Sequence, residues 1–228
     1  MHFYIPNLKA KVLDENQSAH LFVMRIQENK TYKASDLDGK VCKVLITKVD
    51  KKTKTVEFEQ VNIPKQVNFA TKVMFQAVPD KVYLDKLCEV LPLTGVTNLF
   101  LFYSENSIKY PLNQDRITKI LIRSCEQAEV AYLPKIVLLN KQDLETELQK
   151  YSPVVLDCTM YNTLSFVTEV FTPLTSPSHS QTNKPALVGP EGGWSEHEIQ
   201  YFQSLNLSFI SLGAIIYPAW IAGLIWNK

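Results

Sequence analysis

From Thr71 onward, short apolar runs bounded by turn residues alternate with stretches carrying apolar residues at helical spacing. TKVMFQAV, VTNLFLFY, PKIVLLN, SPVVLDC, ALVG and LSFIS read as strands. Helices are predicted between them: VPDKVYLDKLCEVLPLTG, broken at Pro92, then LNQDRITKILIRSCEQA with apolar positions 117, 120, 121 and 125, then DLETELQK, SEHEIQYFQSLN and WIAGLIWNK. Parallel strands cannot be joined by a tight hairpin, and the helix that makes each crossover also covers a face of the sheet. The expected fold class is therefore α/β, with a mostly parallel sheet and helices on both faces, over residues 71–228. The Pro-, Ser- and Thr-rich run TPLTSPSHSQTNKP at 172–185 is expected to be a surface loop.

Residues 1–70 follow a different rhythm. HFYI, HLFVMRI, KVCKVLITKV and TVEFEQV read as strands, the last two joined in a hairpin by the turn Asp50-Lys51-Lys52-Thr53-Lys54. No helix longer than two turns is predicted before residue 80, so this segment reads as a small β-barrel or compact sheet. Charge separates the two parts as well. Residues 1–70 hold 12 Lys and Arg against 8 Asp and Glu, a net +4, whereas residues 71–228 hold 12 against 15, a net −3. A basic front segment suits a polyanion, and it is also an ordinary solubility charge.

Cys42, Cys88, Cys125 and Cys158 are scattered and read as buried thiols, and His2, His20, His179 and His197 are equally dispersed, so no metal is expected. There is no apolar run of 18 residues and no leader-like start, and the expectation is a soluble cytoplasmic protein without a membrane partner.

The stretch LVGPEGGWSEHEI, residues 187–199, joins a predicted strand to a predicted helix, where open α/β sheets place their ligands. Pro190 stiffens the strand exit, Gly192 and Gly193 are free to take positive φ and let a flat ligand approach the main chain, and Ser195 with Glu198 forms a capping-box pattern. Neither G-x-x-x-x-G-K-[ST] nor G-x-G-x-x-G is present. A second turn, Ser211-Leu212-Gly213, ends the next strand, and two such turns can wall one small-molecule pocket.

GPEGG before a capped helix, followed by a strand ending in SLG, resembles the C-terminal signature of the RsmE family of small-subunit (16S) ribosomal RNA uridine-N3 methyltransferases, in the SPOUT superfamily. The likeness extends to His20-Leu21 with Val23-Met24-Arg25, to the turn Ser35–Lys40, to Gly95-Val96, and to Gln127 with Leu133-Pro134-Lys135-Ile136. It implies a PUA-like β-barrel RNA-binding domain at 1–70 and a SPOUT methyltransferase domain at 71–228 with a C-terminal trefoil knot, forming a homodimer. The implied cofactor is S-adenosylmethionine. Val188, Gly189, Glu191, Gly192 and Gly193 would line one side of its site, and Ser211, Leu212, Gly213, Ile215 and Ile216 the other. Glu191 is the candidate catalytic residue, through proton handling, and Arg25, Lys51, Lys52 and Lys54 are candidate contacts to ribosomal RNA. Trp220 and Trp226 are expected in helix packing or a dimer face, with Tyr217 near the ligand.

The sequence departs from the family at several charged positions. After SLG the family usually continues with an Arg-rich turn and Arg-Thr-Glu-Thr-Ala; this chain reads AIIYPAWIA, with Val90, Leu93 and Val130 replacing further charged residues. Methyl transfer to uridine N3 of small-subunit RNA is the leading functional reading. A relative that binds RNA or cofactor without transferring a methyl is the rival.

Overall fold

The computed structural model describes residues 2–13, 15–158, 184–212 and 216–226. The chain divides into two compact units, Met1–Ala70 with Asp115–Leu133, and Thr71–Gln114 with Pro134–Lys228.

The first unit is built on β1 (His2–Tyr4), β2 (Val12–Leu13), α1 (Glu15–Val23), β3 (Thr31–Ser35), β4 (Lys40–Asp50), β5 (Thr55–Gln60) and β6 (Lys65–Gln66). The strand order is β1-β3-β4-β5-β2, with β6 also on β4; β1 pairs with β3 in parallel and the other pairs are antiparallel. Alternate residues of β4 and β5 (Cys42, Val44 and Ile46; Val56 and Phe58) point into a core shared with Phe3, Ile5, Leu13 and Leu21. A register shift between Ile46 and Lys48 bends the hairpin.

Two expectations fail here. HLFVMRI is not a strand: residues 15–23 are helical, because Ser18 and Leu21 bury one face and the Ser18 hydroxyl donates to the Leu13 carbonyl. Arg25 closes that helix in the left-handed region, φ 52°, rather than lying on a strand. Strand β3 went unread. The other difference concerns α3 (Gln114–Ala128), which falls within the 71–228 segment of the sequence reading yet packs with the first unit. The buried Glu126 accepts from the Tyr4 amide at 2.8 Å and meets His20 Nε2 at 2.8 Å, and Glu129 pairs with Lys33 at 2.7 Å. Beyond the helix, Gly39 N–H donates to the Ala131 carbonyl and Leu133 N–H to that of Leu37, each at 2.9 Å.

In the second unit β7 (Val73–Ala77), β8 (Asn98–Phe102), β9 (Lys135–Leu138), β10 (Val154–Leu156), β11 (Ala186–Val188) and β12 (Ser208–Ile210) form one sheet in the order β12-β10-β11-β7-β8-β9. Every pair in it is parallel. The chain thus has the mixed α/β architecture with a parallel sheet that its rhythm implied. Among the described residues its helices are α2 (Lys81–Val90), α4 (Lys141–Tyr151), α5 (Glu196–Ser204) and α6 (Ala219–Trp226), with a 3-10 turn at Leu91–Thr94 where Pro92 stops α2. β7 is buried along its whole length. Val73, Phe75 and Ala77 join Val155 and Leu187 in a core with Leu148 of α4 and Phe202 of α5. Met74, in the opposite pleat, faces α6. There Gly223 sits so close that an added Cβ would lie 2.6 Å from Met74 Sδ and 2.8 Å from Val188 Cγ2. Only a residue without a side chain lets α6 lie on β7 and β11. The loop predicted at 172–185 lies outside the described residues except for Lys184 and Pro185.

Candidate active site

β11 ends at Val188, and the turn Gly189–Gly193 leads through Trp194 and the cap residue Ser195 into α5. The turn closes through a 3.0 Å hydrogen bond from Gly193 N–H to the Pro190 carbonyl. Gly193 takes φ 75°, which a side chain would oppose. Gly192 does not share that conformation; its need for a missing Cβ is steric, because one would come within 3.3 Å of Asn106 Cβ. Gly189 is likewise tight, 3.0 Å from the Trp194 ring for an added Cβ.

The capping box is formed in full: Glu198 N–H donates to Ser195 Oγ at 3.1 Å, and Ser195 N–H donates to Glu198 Oε2 at 2.9 Å. It satisfies two amides that the first helical turn otherwise leaves unpaired. Trp194 fixes the same junction to its neighbours. Its indole N–H donates to the Leu156 carbonyl of β10 at 3.1 Å, and its ring stacks over Phe102 of β8 and meets Phe202 edge-on. From below, the buried Gln76 of β7 donates to the Gly189 carbonyl at 3.3 Å.

A cavity of about 400 Å³ opens past the carboxyl ends of β10, β11 and β12, where strands of an open α/β sheet present ligand sites. It brings together Val188, Gly189, Glu191, Gly193, Ser211, Leu212 and Ile216 of the sequence-predicted set. Gly192 is not in its wall but braced behind the turn. Gly213 and Ile215 lie outside the described residues. Tyr217 and Pro218 form part of the rim, and Ala222 of α6 part of the wall. Ile216 is 76 % exposed despite being apolar. Asp157 and Glu191 contribute carboxylates, and no Lys, Arg or His lines the cavity among the described residues.

Cys158 also lines it and is exposed, contrary to the expectation of a buried thiol; it follows the strand end, where the sheet no longer covers the chain. The other three cysteines are buried, and desolvation pushes the thiols of Cys88 and Cys125 up to about 12, so they stay protonated and inert. Trp220 stacks on Tyr83 of α2 at 6.2 Å and 12°, with Lys86 over both rings, and Trp226 donates to the Lys184 carbonyl at 2.9 Å.

The RNA-binding candidates belong to the first unit. Arg25 is exposed at the end of α1, and Lys51, Lys52 and Lys54 are exposed at the β4–β5 turn. Lys54 is already paired, 2.6 Å from Glu15. Gln76, Trp194 and Asn106 escaped the sequence reading of the site. Trp194 had a signal in directly following Gly193, whereas Gln76 sits in an ordinary strand pattern and Asn106 in an ordinary turn.

Comparison with known proteins supplies a second line of observation. A family profile described as an RNA methyltransferase domain matches residues 65–217. Two curated relatives from Helicobacter pylori strains, each named ribosomal RNA small subunit methyltransferase E, are 29% and 31% identical over 138 residues. These matches cover 58% of this chain and 54% of each relative, so the chain spans about half the length of the curated relatives it matches. Among solved structures, ribosomal RNA small subunit methyltransferase E from Neisseria gonorrhoeae, bound to S-adenosyl methionine, superposes with a TM-score of 0.78 at 21% identity, covering 99% of this chain and 94% of that one. A probable rRNA-methyltransferase from Porphyromonas gingivalis gives 0.76 at 22% identity, with coverage of 99% and 94%. At such identities the two structures establish the fold.

Proposed function

The chain belongs to the family of RNA methyltransferase domains, and from that premise we propose that it is an S-adenosylmethionine-dependent methyltransferase of the RsmE type, acting on N3 of a uridine in small-subunit (16S) ribosomal RNA. The observation that carries the reading is the cavity at the ends of β10, β11 and β12, walled by both the Gly189–Gly193 turn and Ser211-Leu212.

The residues fit the cofactor on two counts. An added Cβ on Gly193 would meet nothing within 4 Å, so a flat ring has room over that backbone. Two carboxylates and, among the described residues, no lining cation suit a positively charged sulfonium and disfavour a phosphate. Val188, Gly189, Glu191, Gly193, Ser211, Leu212, Gly213, Ile215 and Ile216 are the proposed cofactor-binding residues, with Gly192 supporting the turn from behind. Main-chain groups of the two turns would read the adenine edge, and the apolar side chains would pack on its faces. When bound, the cofactor supplies an electrophilic methyl. The protein's task is then to hold a uracil in line and favour departure of its N3 proton, a task of positioning more than of covalent chemistry. Glu191, exposed at the cavity edge, is the proposed carboxylate for accepting that proton.

The first unit is proposed to be a PUA-like barrel that holds RNA through Arg25, Lys51, Lys52 and Lys54, a role supported by the net +4 of residues 1–70. A C-terminal trefoil knot is supported by the strand order: the chain leaving β11 passes β10 to reach β12, and α6 then returns to β11 and β7. The proposed assembly is a homodimer, and the proposed compartment, where its ribosomal substrate is made, is the cytoplasm.

Calorimetry with S-adenosylmethionine, followed by transfer of labelled methyl to unmodified small-subunit RNA and nucleoside mass spectrometry, tests the proposal. Binding together with N3-methyluridine is expected. Binding without transfer identifies the non-transferring relative, and absence of binding overturns the cofactor assignment.

A further inference from the structure

The Gly189–Gly193 turn is held from both ends by side chains of other strands and turns. Gly189 gives its carbonyl to Gln76 Nε2 at 3.3 Å, and Gly193 gives its carbonyl to Asn106 Nδ2 at 3.0 Å. With Pro190 closing the turn on Gly193, three of its five carbonyls are engaged internally. The amides of Glu191 and Gly192 have no partner among the described residues. Asn106 stands in a compact turn after β8, where Ser107 N–H donates to the Ser104 carbonyl at 3.1 Å and Ser104 N–H to Ser107 Oγ at 3.2 Å. One residue earlier, Glu105 N–H donates to Glu198 Oε1 at 3.1 Å, so this turn also holds the acid of the α5 capping box. Asn106 Cβ lies 3.3 Å from where a Cβ on Gly192 would be, so a side chain at 192 would crowd the approach of the two turns.

We propose that the 104–107 turn is a brace for the glycine turn, and that Asn106 is a positioning residue which sets cofactor affinity through its hydrogen bond to the Gly193 carbonyl. The inference rests on the cofactor reading above. Its physical content is preorganisation: a glycine-rich turn loses much conformational freedom on becoming ordered, and a brace present before binding removes that cost from the binding step. Asn106 is exposed, so replacing it leaves the hydrophobic core untouched.

Three proteins test the brace: wild type, Asn106→Ala and Asn106→Asp. The aspartate keeps the shape of asparagine but, ionised, cannot donate to a carbonyl. Cofactor affinity is read by calorimetry, and order in the turn by hydrogen exchange of peptides spanning 187–199. Asn106→Ala is expected to weaken cofactor binding about fivefold, the scale of one hydrogen bond, and to speed exchange in 187–199 alone. Asn106→Asp should be at least as weak. In the transfer assay the KM for cofactor should rise about fivefold with kcat at saturation within about twofold. A merely unstable protein would instead lose kcat with its active fraction and keep KM.

Asp binding like Asn overturns the hydrogen-bond assignment, and both variants matching wild type in exchange and affinity overturn the brace. If wild type itself binds no cofactor, the functional reading fails, while exchange in 187–199 still decides whether Asn106 holds the turn.

Discussion

His2 and Glu126, both buried in the first unit, respond to pH in opposite directions. Burial holds the His2 imidazole below its ordinary 6.5; Lys33 and the N-terminus push it the same way and Glu129 opposes them. Its Nε2 lies 2.7 Å from Ser35 Oγ, a hydrogen bond the neutral ring keeps. Stability from this group is complete above pH 6.5 and is lost as pH falls through the lower folded value. For Glu126 burial is again the largest influence, lifting the carboxyl above its ordinary 4.5 against the pull of the Tyr4 amide, His20 and Arg123. Its contribution is present below pH 4.5 and is lost as pH rises through the raised value. Between 4.5 and 6.5 the two contributions to the wild-type pH profile have opposite slopes. His2→Gln should leave a melting temperature that falls with rising pH, and Glu126→Gln one that falls with falling pH. Each pKa unit corresponds to about 1.4 kcal/mol, or several degrees in a chain of this size. Melting curves at half-unit pH steps check it, and parallel profiles for both variants would contradict the assignment.

Helix α5 was legible to the residue at its start, because S-x-x-E is a local chemical pattern whose hydrogen bonds need no tertiary partner. Ser195→Ala removes the acceptor for the Glu198 amide and should cost about 1 kcal/mol in urea unfolding. Cofactor affinity should fall as well, since the helix start and the glycine turn are continuous; unchanged stability would show that Glu105 and Glu198 alone hold the junction. Helix α1 was illegible for the converse reason. HLFVMRI carries β-branched and aromatic residues, yet burial of Ser18 and Leu21 decides its conformation, and that is tertiary information. β3 escaped in the same way: Thr31–Ser35 is marked as a strand by its pairing with β4 and β1 more than by its own alternation. The site divides along the same line. Glycines, a proline and a cap announced the turn, whereas Gln76 and Asn106, which hold it, are separated from it by 113 and 87 residues and carry no local mark.

At the scale of the whole chain the strand-and-helix alternation was enough to place a parallel sheet, because each parallel crossover demands a covering helix. The order of strands was not legible, since pairing β12 with β10 is a contact between segments far apart in the chain, and laying α6 across β7 depends on close packing at Gly223. Charge is the other property read at this scale, and it yields a prediction that separates RNA from cofactor. Lys51 and Lys52 project from the β4–β5 turn with no ion pair among the described residues, while Lys54 is held by Glu15. A lysine that neutralises a phosphate releases a counterion, so RNA affinity should fall with salt, and the slope of log K against log salt should measure how many phosphates the protein neutralises. Lys51→Glu with Lys52→Glu should flatten that slope by about 0.7 for each phosphate of single-stranded RNA that is no longer neutralised, and leave S-adenosylmethionine affinity unchanged. Lys54→Ala should matter less than either, because its charge is already spent on a carboxylate. Filter binding at a series of salt concentrations supplies the slopes. Wild-type slopes for the double variant would remove the turn from the RNA surface, and the net +4 of residues 1–70 would then be a solubility charge and no more.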